Sequence, residues 1–407
     1  MSDMLAGLKI ADLTIVTAGA GATQVLADFG ADVVKIEGVD RPDLYRGGFW
    51  GGQGGDLDSP PFRTANRNKR GLAVDLKTPE GREVVRRLVA ESDVVTENFR
   101  RGAAERLGLG FLDLIEIRSN AVLVSISSQG ATGPDRFFTS FGITLDALGG
   151  VMSLSGYDED APTWSSGRVN YPDQTANTLA PAIILAAVMA ARRDGRPRWI
   201  DLSQREVVTS LLGDQVLATS LGAPDPVPMG NSSPGRTEWL SRAAGDDQWI
   251  AVGVGSREEE DHLAAVVGTD LAALGDAAGR AAALRVDTDR WAAGRSPADG
   301  ARELRSGGVA AVAVRSGEEL LDDPYLREQG WWQPVDRPDG TVEQQRGWAV
   351  RFAEGGPAAI RQRAPHHGEH TDAVLAELGY SADEIRELTE RGIVTTPQAT
   401  QQREART

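Results

Sequence analysis

Leu8-Lys9-Ile10-Ala11-Asp12-Leu13 is a short apolar run that reads as a strand, and it leads into the small-residue stretch Thr17-Ala18-Gly19-Ala20-Gly21-Ala22. That stretch reads as a loop. Residues 23–29 then read as a helix stopped by Gly30, and Asp32-Val33-Val34-Lys35-Ile36-Glu37 as a second strand. Strand, loop, helix and strand in so short a span make a βαβ unit, and a βαβ unit implies a parallel sheet.

The same pattern repeats downstream. Leu72-Ala73-Val74-Asp75-Leu76 is a strand, and Thr78-Pro79-Glu80 opens a helix with a capping hydroxyl, a proline at the first position and an early acid. Residues 93–97 and 121–126 are further strands, and residues 199–203 lead into a helix that runs to about Leu221. The expected fold is α/β, a Rossmann-like large domain with a parallel sheet plus a smaller α/β domain. The large domain takes residues 1–215 and is completed by 335–407. Residues 216–236, rich in proline and glycine, read as a linker, and 237–330 as the small domain. A chain of 407 residues is long enough for two cores.

Composition narrows the functional classes. A formal net charge of −16 argues against non-specific nucleic-acid binding and against docking on anionic lipid. With no cysteine, thiolate nucleophiles and disulfides are excluded. Residues 1–7 lack the basic and apolar regions of a secretory signal. The longest apolar stretch, 179–191, contains Pro181 and falls short of the ~18 residues a membrane span needs. No membrane and no nucleic-acid partner is expected, and a cytoplasmic location is. His366, His367, Glu369 and His370 do not follow the order that places two metal ligands on one helical face, so no metal is expected.

Asp173 stands just before the Ala-rich apolar segment 178–191, at the mouth of a helix. There a carboxylate can cap free N–H groups, which is the simpler reading, or attack a substrate. The stretch Gly19-Ala20-Gly21-Ala22-Thr23-Gln24, with Glu37 as ribose acid, partly fits a dinucleotide fingerprint. Gln24 occupies the third position, where glycine or alanine is required, and this argues against NAD. Arg67, Lys69 and Arg70, followed by Arg100, Arg101 and Arg106, form a local basic exception in an acidic chain.

Several runs together resemble the family III CoA-transferases, the CaiB–BaiF group that includes formyl-CoA transferase. They are residues 26–37 with Asp43 and Arg46, residues 66–77, and Asp93-Val94-Val95-Thr96-Glu97-Asn98-Phe99 with Gly102 and Arg106. Ser125 to Gly130, Tyr171-Pro172-Asp173, Ile200-Asp201-Leu202-Ser203-Gln204, Asp323-Pro324-Tyr325-Leu326 and residues 364–371 carry the pattern in order to near the end of the chain. The resemblance implies that Asp173 is a nucleophile, forming an aspartyl anhydride and then an aspartyl-CoA thioester as CoA moves from an acyl-CoA to a carboxylic acid. It implies CoA contacts at Thr17, Ala18, Lys69, Arg70, Asn98, Phe99 and Arg106. Acyl-CoA and an acid are then the substrates, with no permanently bound cofactor. It also implies an interlocked homodimer, the alternative being a heteromer with a paralogue, and a helix from Thr371 capped by that residue.

Two segments depart from the family pattern, 194–199 and 230–239. Racemase relatives carry a His in the region where this chain has Phe141, and no His occurs between residues 1 and 261. That favours transfer over an acyl-CoA racemase or isomerase. A third reading is a non-catalytic subunit of a heteromeric transferase.

Overall fold

The computed structural model describes residues 3–47, 59–157, 163, 170–231, 233, 235–353 and 356–397. Gly167, Arg168 and Val169 of the run before Asp173, Ser232 and Pro234 of the presumed linker, and residues 398–407 lie outside the described residues.

The chain opens with β1 (Lys9–Asp12), α1 (Ala18–Asp28), β2 (Asp32–Glu37), α2 (Pro60–Asn66) and β3 (Arg70–Val74). It continues through α3 (Pro79–Glu91), β4 (Val94–Glu97), α4 (Ala103–Arg106), α5 (Phe111–Ile117), β5 (Val122–Ser127) and α6 (Gly142–Leu148). The long helix α7 (Tyr171–Asp194) follows, then β6 (Arg198–Ser203), α8 (Gln204–Ser210) and α9 (Gly213–Ser220). The middle of the chain holds β7 (Thr237–Arg242), β8 (Trp249–Val254), α10 (Arg257–Val267), α11 (Ala277–Ala292), α12 (Pro297–Ser306), β9 (Ala310–Ala313), α13 (Gly317–Leu321) and α14 (Pro324–Glu328). Two hairpins, β10 (Trp332–Asp336) with β11 (Val342–Arg346) and β12 (Arg351–Phe352) with β13 (Gly356–Pro357), precede α15 (Thr371–Glu377), α16 (Ala382–Glu390) and β14 (Val394–Thr395).

Two compact units result. The larger takes residues 1–151, 164–223 and 328–407, and the smaller takes 152–163 and 224–327. The border after Ala223 follows α9, so the first part of the stretch read as a linker is helical.

Seven strands in the order β14-β3-β2-β1-β4-β5-β6 form the sheet of the larger unit, and all pairs are parallel except β14 on β3. Strand alternation splits its side chains between two cores. Ala11, Leu13, Val95 and Leu123 face α3, α5 and the C-terminal helices, while Ile10, Val94, Val122 and Val124 face α1 and α7. The smaller unit is an antiparallel sheet β7-β8-β9 with α10, α11 and α12 packed over Trp239, Ile250, Val252, Leu284 and Leu304.

Three local expectations need correcting. First, α1 begins at Ala18, so the small-residue run is helix rather than loop. The glycines are there for packing: a Cβ on Gly19 would lie 2.4 Å from the Thr14 side chain, and one on Gly21 2.4 Å from Asn177 Nδ2 of α7. Second, α7 at 24 residues is long and apolar enough by length and composition to cross a membrane. Its Ala176, Ala180, Ile184, Ala187, Val188 and Ala191 are nevertheless buried in the core shared with α1, which accounts for its apolar face. Third, Thr371 does not cap α15. Its hydroxyl accepts from the Ala73 amide (3.2 Å) and donates to the Thr395 carbonyl (2.8 Å), tying β3 to the C-terminal strand.

Candidate active site

Asp173 lies in the first turn of α7, after the N-cap Asn170 and the proline at the second helical position. Asn170 makes no side-chain cap to the helix backbone; its Nδ2 donates instead to Asp173 Oδ2 at 3.1 Å. The other oxygen, Oδ1, accepts from Gln204 Nε2 at 2.7 Å. Gln204 is buried and opens α8 directly after β6, whose last residue Ser203 caps that helix by accepting from the Glu206 amide. The carboxylate is therefore set at the C-terminal edge of the parallel sheet, where such folds place their ligands. Gly142, at the start of α6, makes room for Asn170: a Cβ there would lie 2.1 Å from Asn170 Oδ1.

Burial pushes the Asp173 carboxyl above the ordinary aspartate value, and the charge of the buried Asp146 adds to this; the amide bonds from Gln204 and Asn170 oppose the rise. A carboxylate made more basic is a better nucleophile, and two neutral amides orient it without neutralising its charge.

The loop between β1 and α1 is held on both sides. Asn98 accepts from the Ile15 amide (2.8 Å) and donates back to the Ile15 carbonyl (2.7 Å), so both polar ends of its side chain are used on this loop. Val16, at φ 61°, donates to Asp43, which also accepts from the Tyr45 amide at 2.9 Å and from Lys35 at 2.8 Å. Thr17 and Tyr45 share a hydroxyl hydrogen bond, and Ala18 is buried at the first position of α1. The first turn of α1 carries neither an acidic residue nor a side-chain cap, and its residues Ala18, Gly19 and Ala20 are buried.

The basic residues expected at CoA phosphate fare differently. Lys69 is fully buried, and its ammonium donates to Asp12 (2.9 Å), the Ala20 carbonyl (2.8 Å) and Asn66 (2.9 Å). An ammonium has three donors, so none is left for a phosphate, and Lys69 is corrected from ligand to internal tie. Burial pushes its pKa down to about 8, with the nearby Lys35 adding to the fall and Asp12 opposing it. Arg70 pairs with Asp32 (2.7 Å) and Glu377 (2.8 Å) at the start of β3, the opposite edge of the sheet from Asp173. Arg106 is exposed at the end of α4. Phe99 lines a cavity of ≈ 490 Å³ with Glu97, Arg101, Phe111, Trp199 and Asp201. Those strand residues lie on the α5 face, so this cavity and α7 are on opposite faces of the sheet.

Glu37, the acid a dinucleotide site would need, is buried against Arg46 at 2.8 Å and accepts from the Asp43 amide. The histidines near the C-terminus tie backbone segments together. His370 Nδ1 accepts from the Gly71 amide and His367 Nε2 meets the Gly38 carbonyl, while Glu369 pairs with Arg363 at 2.7 Å.

The model of CoA-transferase family III matches residues 5–371, nine-tenths of the sequence. The chain belongs to CoA-transferase family III. Its curated relatives include a succinate–glutarate CoA-transferase of Agrobacterium fabrum, 28% identical over 92% of this chain and 95% of that protein. A succinyl-CoA:mesaconate CoA-transferase of Haloarcula hispanica is 33% identical over 91% of this chain and 96% of the relative. A crystal structure of a CaiB/BaiF family protein from Brucella suis superposes with a TM-score of 0.82 at 28% identity, covering 93% of this chain and 100% of that one.

In this CoA-transferase the sequence reading missed Gln204 and Asn170 as partners of Asp173. Gln204 stood in a quoted run at the end of a strand and Asn170 three residues before Asp173, but neither place signals a contact with Asp173 in the sequence. Asp146 carried no signal either: its burial follows from how α6 packs.

Proposed function

We propose that this CoA-transferase works through Asp173. The carboxylate attacks the acyl carbon of an acyl-CoA, forming an aspartyl anhydride and releasing CoA thiolate. The thiolate attacks Asp173 Cγ, the bond from Cγ to the bridging oxygen breaks, and the donor acid leaves with that oxygen. The acceptor carboxylate then attacks the aspartyl-CoA thioester, giving a new anhydride and thiolate. Thiolate attack on the acceptor acyl carbon yields the new acyl-CoA and restores Asp173. Thioester energy is conserved at each step, so no outside energy source enters.

The observation that carries this reading is the setting of Asp173: a partly buried carboxylate, raised in pKa, with one neutral amide donor on each oxygen. A structural cap would instead spend those oxygens on backbone N–H groups. Support for the CoA side comes from Thr17 and Ala18 at the start of α1, from Asn98, which holds the loop before them, and from the exposed Arg106. The relatives make succinyl-CoA the first donor to test and small dicarboxylic acids the first acceptors. We also read the enzyme as a cytoplasmic homodimer, checked by size exclusion with light scattering. Trapping with hydroxylamine after addition of succinyl-CoA tests the mechanism, because either covalent intermediate leaves a hydroxamate on Asp173. Full transfer by Asp173→Ala refutes it. Deuterium wash-in at the acyl α-carbon without an acceptor acid would point to racemisation instead.

A further inference from the structure

The two oxygens of Asp173 are not equivalent. Oδ1 is held by Gln204 Nε2 at 2.7 Å, Oδ2 by Asn170 Nδ2 at 3.1 Å. A shorter hydrogen bond withdraws more of the lone-pair density, so Oδ2 is the better nucleophile and Oδ1 the poorer one. Once Oδ2 has attacked, it becomes the bridging oxygen of the anhydride. Oδ1 stays behind as the aspartyl carbonyl oxygen, still facing Gln204. We propose that Gln204 is the oxyanion donor of the steps in which Asp173 Cγ is itself attacked.

The proposal rests on Asp173 being the nucleophile and assigns it an atom. When CoA thiolate adds to Cγ, the C–O double bond of Oδ1 opens and negative charge collects on Oδ1. The Nε2–H of Gln204 is already at hydrogen-bond distance from that oxygen, so no reorganisation is needed as the charge appears. The tetrahedral centre collapses by expelling the donor carboxylate, and Oδ1 returns to a carbonyl in the aspartyl-CoA thioester. Attack by the acceptor carboxylate repeats the event at the same oxygen. Gln204 is well suited to this. It is buried, its backbone is fixed by the end of β6 and the start of α8, and a neutral amide strengthens its bond as charge develops without stabilising the resting carboxylate as strongly as a cation would. Asn170, on the attacking oxygen, loses bond strength as Oδ2 attacks the acyl carbon, so its contribution to that step is orientation.

Three variants test the assignment, with succinyl-CoA as donor and the trapped adduct read by mass spectrometry. Gln204→Leu removes the donor; kcat is expected to fall about 10²–10³-fold, the range for one oxyanion-hole donor, with KM little changed. The acyl anhydride on Asp173 should then accumulate relative to the CoA thioester, because attack at Cγ is the slowed step. Asn170→Ala should cost less in kcat and leave that ratio near the wild-type one. Gln204→Glu keeps the shape and the fold. Ionised, it repels Asp173; protonated, it can donate to Oδ1, so its activity should recover as the pH is lowered. A Gln204→Glu enzyme with the wild-type rate and pH profile overturns the proposal, whether or not the leucine variant folds. So does a Gln204→Leu enzyme that loses less than about tenfold in kcat, short of the oxyanion-donor range. The absence of any Asp173 adduct in the wild-type enzyme would refute the nucleophile reading itself, a result separate from both.

Discussion

Replacing Lys69 by methionine separates two roles that the sequence could not tell apart. If Lys69 binds a CoA phosphate, its loss raises KM and leaves the fold alone. If it is an internal tie, the reverse holds. In the structure its ammonium meets Asp12, the Ala20 carbonyl and Asn66, all within 2.9 Å, and its side chain is wholly buried. Methionine fills similar volume but leaves Asp12 a buried carboxylate without its nearest cation. Removing one partner of such a pair costs about 3–5 kcal/mol. The lower end applies here, because Thr14, Thr23 and Thr96 still donate to Asp12 and the Lys35 charge remains near. We therefore expect Lys69→Met to lose about 3 kcal/mol of stability in urea unfolding, with KM for acyl-CoA nearly unchanged for the folded fraction. Adding Asp12→Asn should restore much of the loss, since the uncompensated charge is then gone. A Lys69→Met enzyme as stable as wild type but with a KM raised tenfold or so, the effect of losing about 1.4 kcal/mol of binding, would refute the burial reasoning.

Acid sensitivity should trace to Glu37. The Arg46 and Lys35 charges outweigh its burial and hold its carboxyl down to about 2, against 4.5 for an ordinary glutamate. Its contribution, about 3 kcal/mol by linkage, is complete above pH 4.5 and is lost as the pH falls towards 2. Glu37→Gln should flatten unfolding free energy across that window, and an unchanged pH dependence would count against it. Gly21→Ala should destabilise by about 1–3 kcal/mol through overpacking despite the better helix propensity of alanine, because the new methyl meets Asn177. Thermal melts of Gly21→Ala and of Gly21→Ala/Asn177→Ala check this; the second should recover. Arg106→Gln should raise KM for acyl-CoA, more so at low salt, whereas Arg70→Gln should leave KM alone because Arg70 is committed to Asp32 and Glu377. Equal effects in initial-rate assays would undo that distinction.

The parallel sheet was legible because β1, β2, β4 and β5 are short apolar runs buried on both faces, separated by helical patterns. The start of α1 was not. Gly19 and Gly21 read locally as loop residues, and only the close approach of Thr14 and α7 makes glycine the residue that fits inside this helix. Charge misled in the same way. Lys69 and Arg70 look like a surface patch in sequence, yet one is paired with Asp12 far along the chain and the other closes the far edge of the sheet. Asp173 could be picked out from its family run and its place before a helix. Its hydrogen-bond partner Gln204 could not, since the contact exists only once α7 and β6 have brought the two together.

The nucleophile itself admits the most direct test. Enzyme incubated with succinyl-CoA and quenched into hydroxylamine should carry a hydroxamate on Asp173, found by peptide mass spectrometry, and Asp173→Asn should carry none and turn nothing over. A wild-type enzyme that transfers CoA with Asp173 unmodified, or an Asp173→Asn enzyme that keeps its rate, would contradict the account.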